Sequence, residues 1–122
     1  MRVLAILYGL CVISAVPIGA GERLAIKVSP TVSFAPANLI VRTMVEADAR
    51  NRAIEIIAES PDFYRSSQVQ LEGDRAPRTT MFEFRSLPSG TYEVKAILFG
   101  ANGQPLTYVS QYVNVIQNGN GR

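Results

Sequence analysis

The side chains that most often perform catalysis are scarce in this chain of 122 residues. It has no histidine, and its single cysteine is Cys11. A nucleophile–histidine–acid triad is therefore impossible, and zinc would find at most one of its usual ligands. Lys27 and Lys95 leave a serine–lysine dyad formally open, but each lies at an outward position of an alternating segment. We therefore expect no catalytic residues, no metal and no cofactor, and we predict that the chain is not an enzyme.

Acidic residues occur in three close pairs. These are Glu46 with Asp48, Glu55 with Glu59, and Glu72 with Asp74. Calcium accepts such carboxylate oxygens, but none of the pairs has the dense acidic spacing of a dedicated calcium loop. Single acids at solvent-facing positions are common in folded proteins. The pairs therefore predict a solvated surface.

Aromatic and arginine side chains around one short segment are the best candidates for contact with a ligand or partner. They are Phe63, Tyr64, Arg65, Arg75 and Arg78. Such residues are favoured at the energetic centres of interfaces, and large exposed apolar groups point to a partner. The competing interpretation is that Phe63 or Tyr64 folds back to cover one end of the fold while the arginines stay solvated.

Two further tyrosines, Tyr108 and Tyr112, share one face of an alternating segment. Facing outward they would form a ridge for a partner, but we expect them to belong to the core. The net charge is +2 and the basic residues are spread along the chain, which predicts no nucleic-acid partner. We expect a protein or cell-surface partner instead.

The N-terminal segment has the layout of a secretory signal peptide. An arginine provides the positive start, Val3–Val16 is an apolar run, and Pro17 breaks the segment before small residues that a peptidase accepts. The run is shorter than the roughly 20 residues that span a bilayer, so a permanent anchor is the weaker alternative. We expect cleavage after Ala20, with Gly21 as the second choice, and a secreted or periplasmic protein without a membrane span.

The remaining chain is predicted to form one domain, residues 21–116. Because Cys11 lies in the segment expected to be removed, this domain has no disulfide and depends on its core. A domain of about 100 residues can achieve this by burying roughly two-thirds of its unfolded surface. Residues 117–122 contain no apolar side chain and are expected to be a disordered tail.

Short alternating segments separated by turn residues predict an all-β fold. The seven expected strands are Arg23–Ser29, Leu39–Val45, Ala53–Glu59, Gln68–Glu72, Thr80–Arg85, Tyr92–Leu98 and Leu106–Ile116. Seven strands about ten residues apart are typical of an antiparallel β-sandwich. Thr31–Ala35 is expected to follow a sheet edge and Ser60–Ser67 to form a loop. High helix propensity from Val45 to Glu59 is the main argument against the all-β interpretation.

Two connections predict hairpins. Leu87–Gly90 places proline and glycine in the order of a type I turn, between two alternating segments. Asn102 followed by Gly103 is a strong short-range hairpin signal, because both residues accept a positive φ.

The block Leu87–Tyr92, LPSGTY, resembles the tyrosine-corner motif of bacterial immunoglobulin-like and fibronectin-type-III-like domains. The same pattern occurs in carboxypeptidase-regulatory, transthyretin-like modules, which are the second choice. The resemblance implies that Leu87, Gly90 and Tyr92 are structural, and that the Tyr92 hydroxyl bonds back to the backbone upstream. The disulfide and buried tryptophan of antibody domains are missing from this sequence.

The sequence therefore predicts an exported, non-enzymatic immunoglobulin-like module that binds a protein or a cell surface through end loops or a strand edge. The alternative is a small carbohydrate-binding or transthyretin-like accessory domain that works beside an enzyme on another chain. The LPSGTY block and the aromatic residues Phe63 and Tyr64 favour that alternative.

Overall fold

The computed structural model describes residues 23–117. The expected signal peptide, residues 1–20, and residues 118–122 of the expected tail lie outside the described residues. Within the described part the chain is all-β, with eight strands, two short 3-10 turns and no α-helix. The strands are β1 (Leu24–Ser29), β2 (Val32–Phe34), β3 (Ala37–Val45), β4 (Ala53–Ser60), β5 (Phe63–Gln70), β6 (Thr79–Leu87), β7 (Gly90–Phe99) and β8 (Pro105–Ile116).

The eight strands form two sheets. A three-stranded sheet has the order β1-β3-β6, and a five-stranded sheet has the order β2-β8-β7-β4-β5. Neighbouring strands are antiparallel except for β2, which runs parallel to the end of β8. The edge position of β2 confirms the expectation for Thr31–Ala35. It is also the strand that raises the number from the expected seven to eight.

The expected hairpin between β6 and β7 is wrong. β6 pairs with β3 in the three-stranded sheet, whereas β7 pairs with β4 and β8 in the other sheet. Leu87–Gly90 therefore carries the chain from one sheet to the other. Alternation correctly identified both strands, but it says nothing about which neighbour a strand pairs with.

The expected loop Ser60–Ser67 is also wrong. Ser60 pairs with Phe63 across a two-residue turn, and the β4–β5 pairing continues to Ala53 opposite Gln70. β5 lies at the edge of its sheet and is exposed along most of its length. Strand pairing uses only backbone N–H and carbonyl groups. An exposed edge strand such as β5 therefore needs no alternation of apolar and polar side chains, and its polar sequence has none.

β4 settles the question of helix propensity in favour of a strand. It lies between β5 and β7, where backbone pairing on both sides satisfies its polar groups. Ile54 and Ile56 are fully buried on the side of the core. Ile57, on the opposite side of the strand, is also buried. A strand buried on both faces reads as a continuous apolar run, which is why this segment was ambiguous.

The two sheets share one hydrophobic core. The three-stranded sheet contributes Leu24, Val28, Leu39, Val41, Phe82 and Phe84, and the five-stranded sheet contributes Ile54, Ile56, Tyr92, Val94, Leu98, Val113 and Val115. Each of these side chains is at most 9% exposed. The face of the five-stranded sheet that carries this set is called its inner face, and the opposite one its outer face.

Side chains link the two sheets where their edges meet. The amide of Gln111 on β8 accepts from the Val28 N–H at 3.1 Å and donates to the Val28 carbonyl at 3.4 Å. These two bonds pair with the backbone of β1 on the side where β1 has no neighbouring strand. Between β5 and β6, Arg65 Nη1 donates to the Arg85 carbonyl at 3.0 Å.

Two connections shape one end of the five-stranded sheet. In the predicted β7–β8 hairpin, which is confirmed, Asn102 and Gly103 have φ values of 64° and 71°. At Gly73 φ is +59°, and an added Cβ would lie 3.0 Å from the Ala49 carbonyl oxygen, so this position requires glycine. The Gly73 N–H donates to the Asn51 carbonyl, which fixes the chain beside the start of β4.

Nowhere within residues 23–117 is there a helix long and apolar enough to cross a membrane.

Candidate functional site

The five residues predicted to contact a partner fall into two separate groups. Phe63, Tyr64 and Arg65 begin β5, whereas Arg75 lies in a 3-10 turn beyond its other end and Arg78 immediately precedes β6. Eight residues of strand span roughly 26 Å at about 3.3 Å per residue. The structure therefore does not bring these five side chains together into one site.

Phe63 and Arg65 make contacts within the fold. The Phe63 ring is half-buried and meets the Tyr92 ring edge to face, with ring centres 6.2 Å apart. The Arg65 guanidinium lies 5.1 Å from the centre of the Phe63 ring and also bonds the Arg85 carbonyl. A cation over an aromatic face stabilises both groups. Tyr64 points to the outer face instead and is exposed.

Leu87, Gly90 and Tyr92 lie at the crossing between the sheets. Leu87 and Tyr92 are fully buried, and the Tyr92 hydroxyl donates to the Pro88 carbonyl at 2.7 Å. Burial raises the pKa of the Tyr92 phenol, which favours the neutral form that donates this bond. At Gly90 φ is +155°, and an added Cβ would lie 3.3 Å from the Ser60 Cβ.

The outer face of the five-stranded sheet carries exposed apolar side chains along β8 and β2, called the apolar band, which alternate on β8 with the polar residues Ser110 and Asn114. Its members are Val32, Phe34, Tyr108, Tyr112 and Ile116, which are between 45% and 64% exposed. Phe34 lies directly opposite Ile116 in the β2–β8 pairing, so the two side chains are on the same side of the sheet. The expectation that Tyr108 and Tyr112 belong to the core is wrong, because the inward positions of β8 are taken by Val113 and Val115.

A second feature of the outer face lies beside the β7–β8 hairpin and is called the polar cleft. It consists of two adjoining depressions that share Phe99. The one between β5, β4 and the hairpin has a volume of about 510 Å³ and includes Arg52, Glu55, Gln68 and Gln70. The one over β7 and β8 has about 550 Å³ and includes Glu93, Lys95 and Tyr108.

The two shortest ion pairs among the described residues join the β3–β4 loop to itself and to Arg23, which precedes β1. The Asp48 carboxylate accepts from the Arg50 side chain at 2.9 Å and from Arg23 at 3.2 Å. The hydrogen bond from Arg50 holds the pKa of Asp48 well below its usual range. Since Asp48 also accepts from the Arg50 backbone N–H, the cluster fixes the loop and has a structural role.

Metal ligands are not grouped in the described part of the chain. Residues 23–117 contain no set of three or more acidic, histidine or cysteine side chains placed to hold a metal ion. The close acidic pair Glu55 and Glu59 does point to one face, four residues apart on β4. Glu59 lies directly opposite Glu93 of β7.

Sequence reasoning missed Phe34 and Phe99. The sequence places Phe34 only in an edge segment bounded by Pro30 and Pro36. Phe99 continues the outward alternation of Glu93, Lys95 and Ile97, so its position on the outer face was readable from the sequence. The missing information was the pairing of β7 with β4, which places Phe99 opposite Ala53.

No protein-family model matches the chain, and no curated protein matches it in sequence. Several solved structures do match. The superoxide reductase (neelaredoxin) from Ignicoccus hospitalis is 19% identical, with a TM-score of 0.56 over 77% of this chain and 80% of that chain. A variant of the same protein is 17% identical, with a TM-score of 0.55 over 80% and 81% of the two chains. A family 76 glycoside hydrolase from a bovine Bacteroides thetaiotaomicron strain is 20% identical, with a TM-score of 0.55 over 75% of this chain but only 20% of that chain.

These matches correct the prediction that the chain is not an enzyme. That prediction rested on the absence of histidine and of a recognisable catalytic set. The fold, however, is shared with a superoxide reductase over most of both chains, so the architecture gives no ground for excluding an activity. At 17–20% identity the likeness shows the fold alone. Of the resemblance inferred from the sequence, this likeness supports an all-β chain with two sheets.

Proposed function

We propose that the chain is an exported immunoglobulin-like β-sandwich that binds a protein or a cell surface. The sandwich type is supported by the single core that the two sheets share. It is also supported by the hydrogen bond from Tyr92 to the Pro88 carbonyl, which is the bond of a tyrosine corner. Export is supported by the signal-peptide layout of residues 1–20.

The apolar band is the observation that carries the binding role. Tyr108, Tyr112 and Phe34 are each more than 60% exposed, and they lie on neighbouring strands of a rigid sheet. Several large exposed apolar side chains on one face mark an interaction site, and tyrosine and phenylalanine are enriched in the cores of interfaces. The band does not contribute to the core, so folding alone gives no reason for its composition.

Capture of a partner tests the role of the band. The wild-type chain and a Phe34→Ser, Tyr112→Ser double variant are used to capture proteins from the extracellular fraction of the producing cells, and to label those cells directly. We expect the double variant to lose the partner or the labelling. Because both side chains are exposed, its free energy of unfolding should change by no more than about 0.5 kcal/mol per site.

Met81→Ser is the matched control, because Met81 is 56% exposed on the outer side of the three-stranded sheet. It should capture the same partner as the wild type. Equal capture by the double variant and the wild type would show that the band is not the binding surface.

A second candidate is an accessory domain that works beside an enzyme. The match to one-fifth of a glycoside hydrolase chain favours it, since there the fold is one part of a longer protein. An accessory domain of this kind would hold the substrate near the catalytic part. Co-purification with a hydrolase from the extracellular fraction would support it.

A further inference from the structure

The polar cleft differs in chemistry from the apolar band on the same face. Its lining mixes carboxylates, amides and cations with the rings of Phe99 and Tyr108 and with the aliphatic residues Ile97, Pro105 and Leu106. Pockets that bind small ligands combine apolar rings with a few polar groups held in fixed positions, usually with volumes of about 300–1,000 Å³. The two depressions of the cleft fall within that range.

Strand pairing places three polar side chains of the cleft in one row with the apolar Ile97. Gln68 of β5 lies opposite Glu55 of β4, Glu55 opposite Ile97 of β7, and Ile97 opposite Tyr108 of β8. With strands about 4.8 Å apart, this row crosses roughly 14 Å of sheet. A row of that length suits an extended chain better than a single small ring.

Next to this row, one position on the floor of the cleft has a small side chain and the neighbouring position has an aromatic ring. Gln70, Ala53 and Phe99 lie opposite one another on three adjacent strands. The small side chain of Ala53 leaves the space, and Phe99 stands between the two depressions. A flat ligand crossing the strands would therefore meet the Phe99 ring and have hydrogen-bonding groups on both sides.

The charges of the cleft balance. Glu55 and Glu93 provide two carboxylates, and Arg52 and Lys95 provide two cations. Neither sign dominates, which favours a ligand without net charge. Carboxylates accept hydrogen bonds, Lys95 donates them, and the glutamine amides do both. Arg52 already donates from Nη1 to the Ala49 and Asn51 carbonyls, so its remaining N–H groups are the ones left for a ligand. The natural complement to this set is a ligand rich in hydroxyl groups, each of which both donates and accepts.

We propose that the polar cleft binds an uncharged polysaccharide, with one sugar ring against Phe99 and its hydroxyl groups bonded by Glu55 and Gln68. A sugar ring presents C–H groups on its faces and hydroxyl groups at its rim, which matches an aromatic ring surrounded by carboxylate and amide groups. A protein partner fits less well, because glutamate and lysine are depleted in protein interfaces. The inference rests on the binding role proposed above, and Tyr108 is the one residue that belongs both to the lining of the cleft and to the apolar band.

Native affinity electrophoresis tests this proposal. The full chain is run through gels that contain soluble β-glucan, α-mannan, xyloglucan or galactan, and through a gel with alginate as an anionic probe. We expect at least one uncharged polysaccharide to slow the wild-type chain. Glu55→Gln and Gln68→Ala should each weaken that binding by about tenfold, since each removes a hydrogen bond at the centre of the cleft.

Glu59→Gln is the matched control for Glu55→Gln. It removes a carboxylate from the same face of β4, and Glu59 does not line the cleft. It should leave binding within about twofold of the wild type. No retardation by any uncharged polysaccharide, retardation by alginate alone, or equal retardation of all variants would each overturn the proposal.

The Phe34→Ser, Tyr112→Ser double variant separates this inference from the proposed function. If the chain captures a protein partner through the band while every polysaccharide gel shows no retardation, only the cleft proposal is wrong. If the double variant is slowed like the wild type, and Glu55→Gln is not, the cleft acts independently of the band and the proposal is supported.

Discussion

The two faces of the five-stranded sheet use the same kind of side chain in opposite ways. Tyr92 of β7 points to the inner face, is fully buried, and donates its hydroxyl to the Pro88 carbonyl. Tyr112 of the neighbouring strand β8 points to the outer face and is 64% exposed. Within residues 23–117 its hydroxyl makes no hydrogen bond to another side chain or to the backbone.

This difference separates what holds the fold together from what the fold displays. On the inner face a side chain must fill its space and satisfy its polar atoms, because a buried unpaired group costs free energy. At the exposed positions of the outer face neither requirement applies. Aromatic and charged side chains there are free to serve a partner, so substitutions on the two faces should separate stability from binding.

Gly90→Val should show the largest effect. Gly90 has φ +155°, a conformation that costs a residue with a side chain about 1–3 kcal/mol. The new Cβ would also lie 3.3 Å from the Ser60 Cβ, where the start of β7 lies close to the end of β4. We expect chemical denaturation to show a loss of stability at or above that range.

Gly103→Val is the control for the cost of placing a side chain at a positive φ. Gly103 also has a positive φ, at 71°, but no atom lies within 4 Å of an added Cβ. It should therefore lose less stability than Gly90→Val. Equal losses would show that the contact with Ser60 contributes nothing and that the crossing is no more tightly packed than the exposed hairpin.

Tyr92→Phe and Tyr112→Phe compare the two faces by removing one oxygen atom from each. We expect Tyr92→Phe to cost about 1 kcal/mol, because it leaves the Pro88 carbonyl without its buried donor. Tyr112→Phe should leave stability within about 0.5 kcal/mol of the wild type, since its hydroxyl is solvated. Thermal and urea unfolding of the two variants, measured side by side, would contradict this comparison if the losses were equal.

The sequence predicted the inner face better than the outer one. Alternation identified β1, β4, β6, β7 and β8, because burial on one side imposes a period of two residues. β3 was predicted instead from its largely apolar sequence. It also placed Val113 and Val115 together, and both are buried. The Asn102–Gly103 hairpin was predictable because its backbone conformation demands those residue types.

The patterns in the sequence did not show which strands pair with each other. β5 is an edge strand held by backbone bonds, so nothing in its polar side chains distinguished it from a loop. The crossing at Leu87–Gly90 has the same local chemistry as a tight hairpin turn. For Tyr108 and Tyr112, apolar character favoured the core, and only the register of β8 with β7 shows that they point outward.

The pairing of Glu59 with Glu93 offers the smallest test and concerns the outer face alone. The two glutamates lie directly opposite each other on β4 and β7, and like charges in that position destabilise a sheet. Glu93→Gln should therefore stabilise the fold by about 0.2–1 kcal/mol in low salt. The gain should shrink in 1 M salt, where charges are screened within about 3 Å.

Glu55→Gln is the control, because Glu55 lies opposite Ile97 and has no like charge across the strand. Its stability should not change with salt in this way. A gain in Glu93→Gln that is absent in Glu55→Gln would show that the outer face keeps an arrangement unfavourable to folding. Such an arrangement is expected of a surface whose side chains serve binding at some cost in stability. No difference between the two variants would show that the opposition of Glu59 and Glu93 costs the fold no stability.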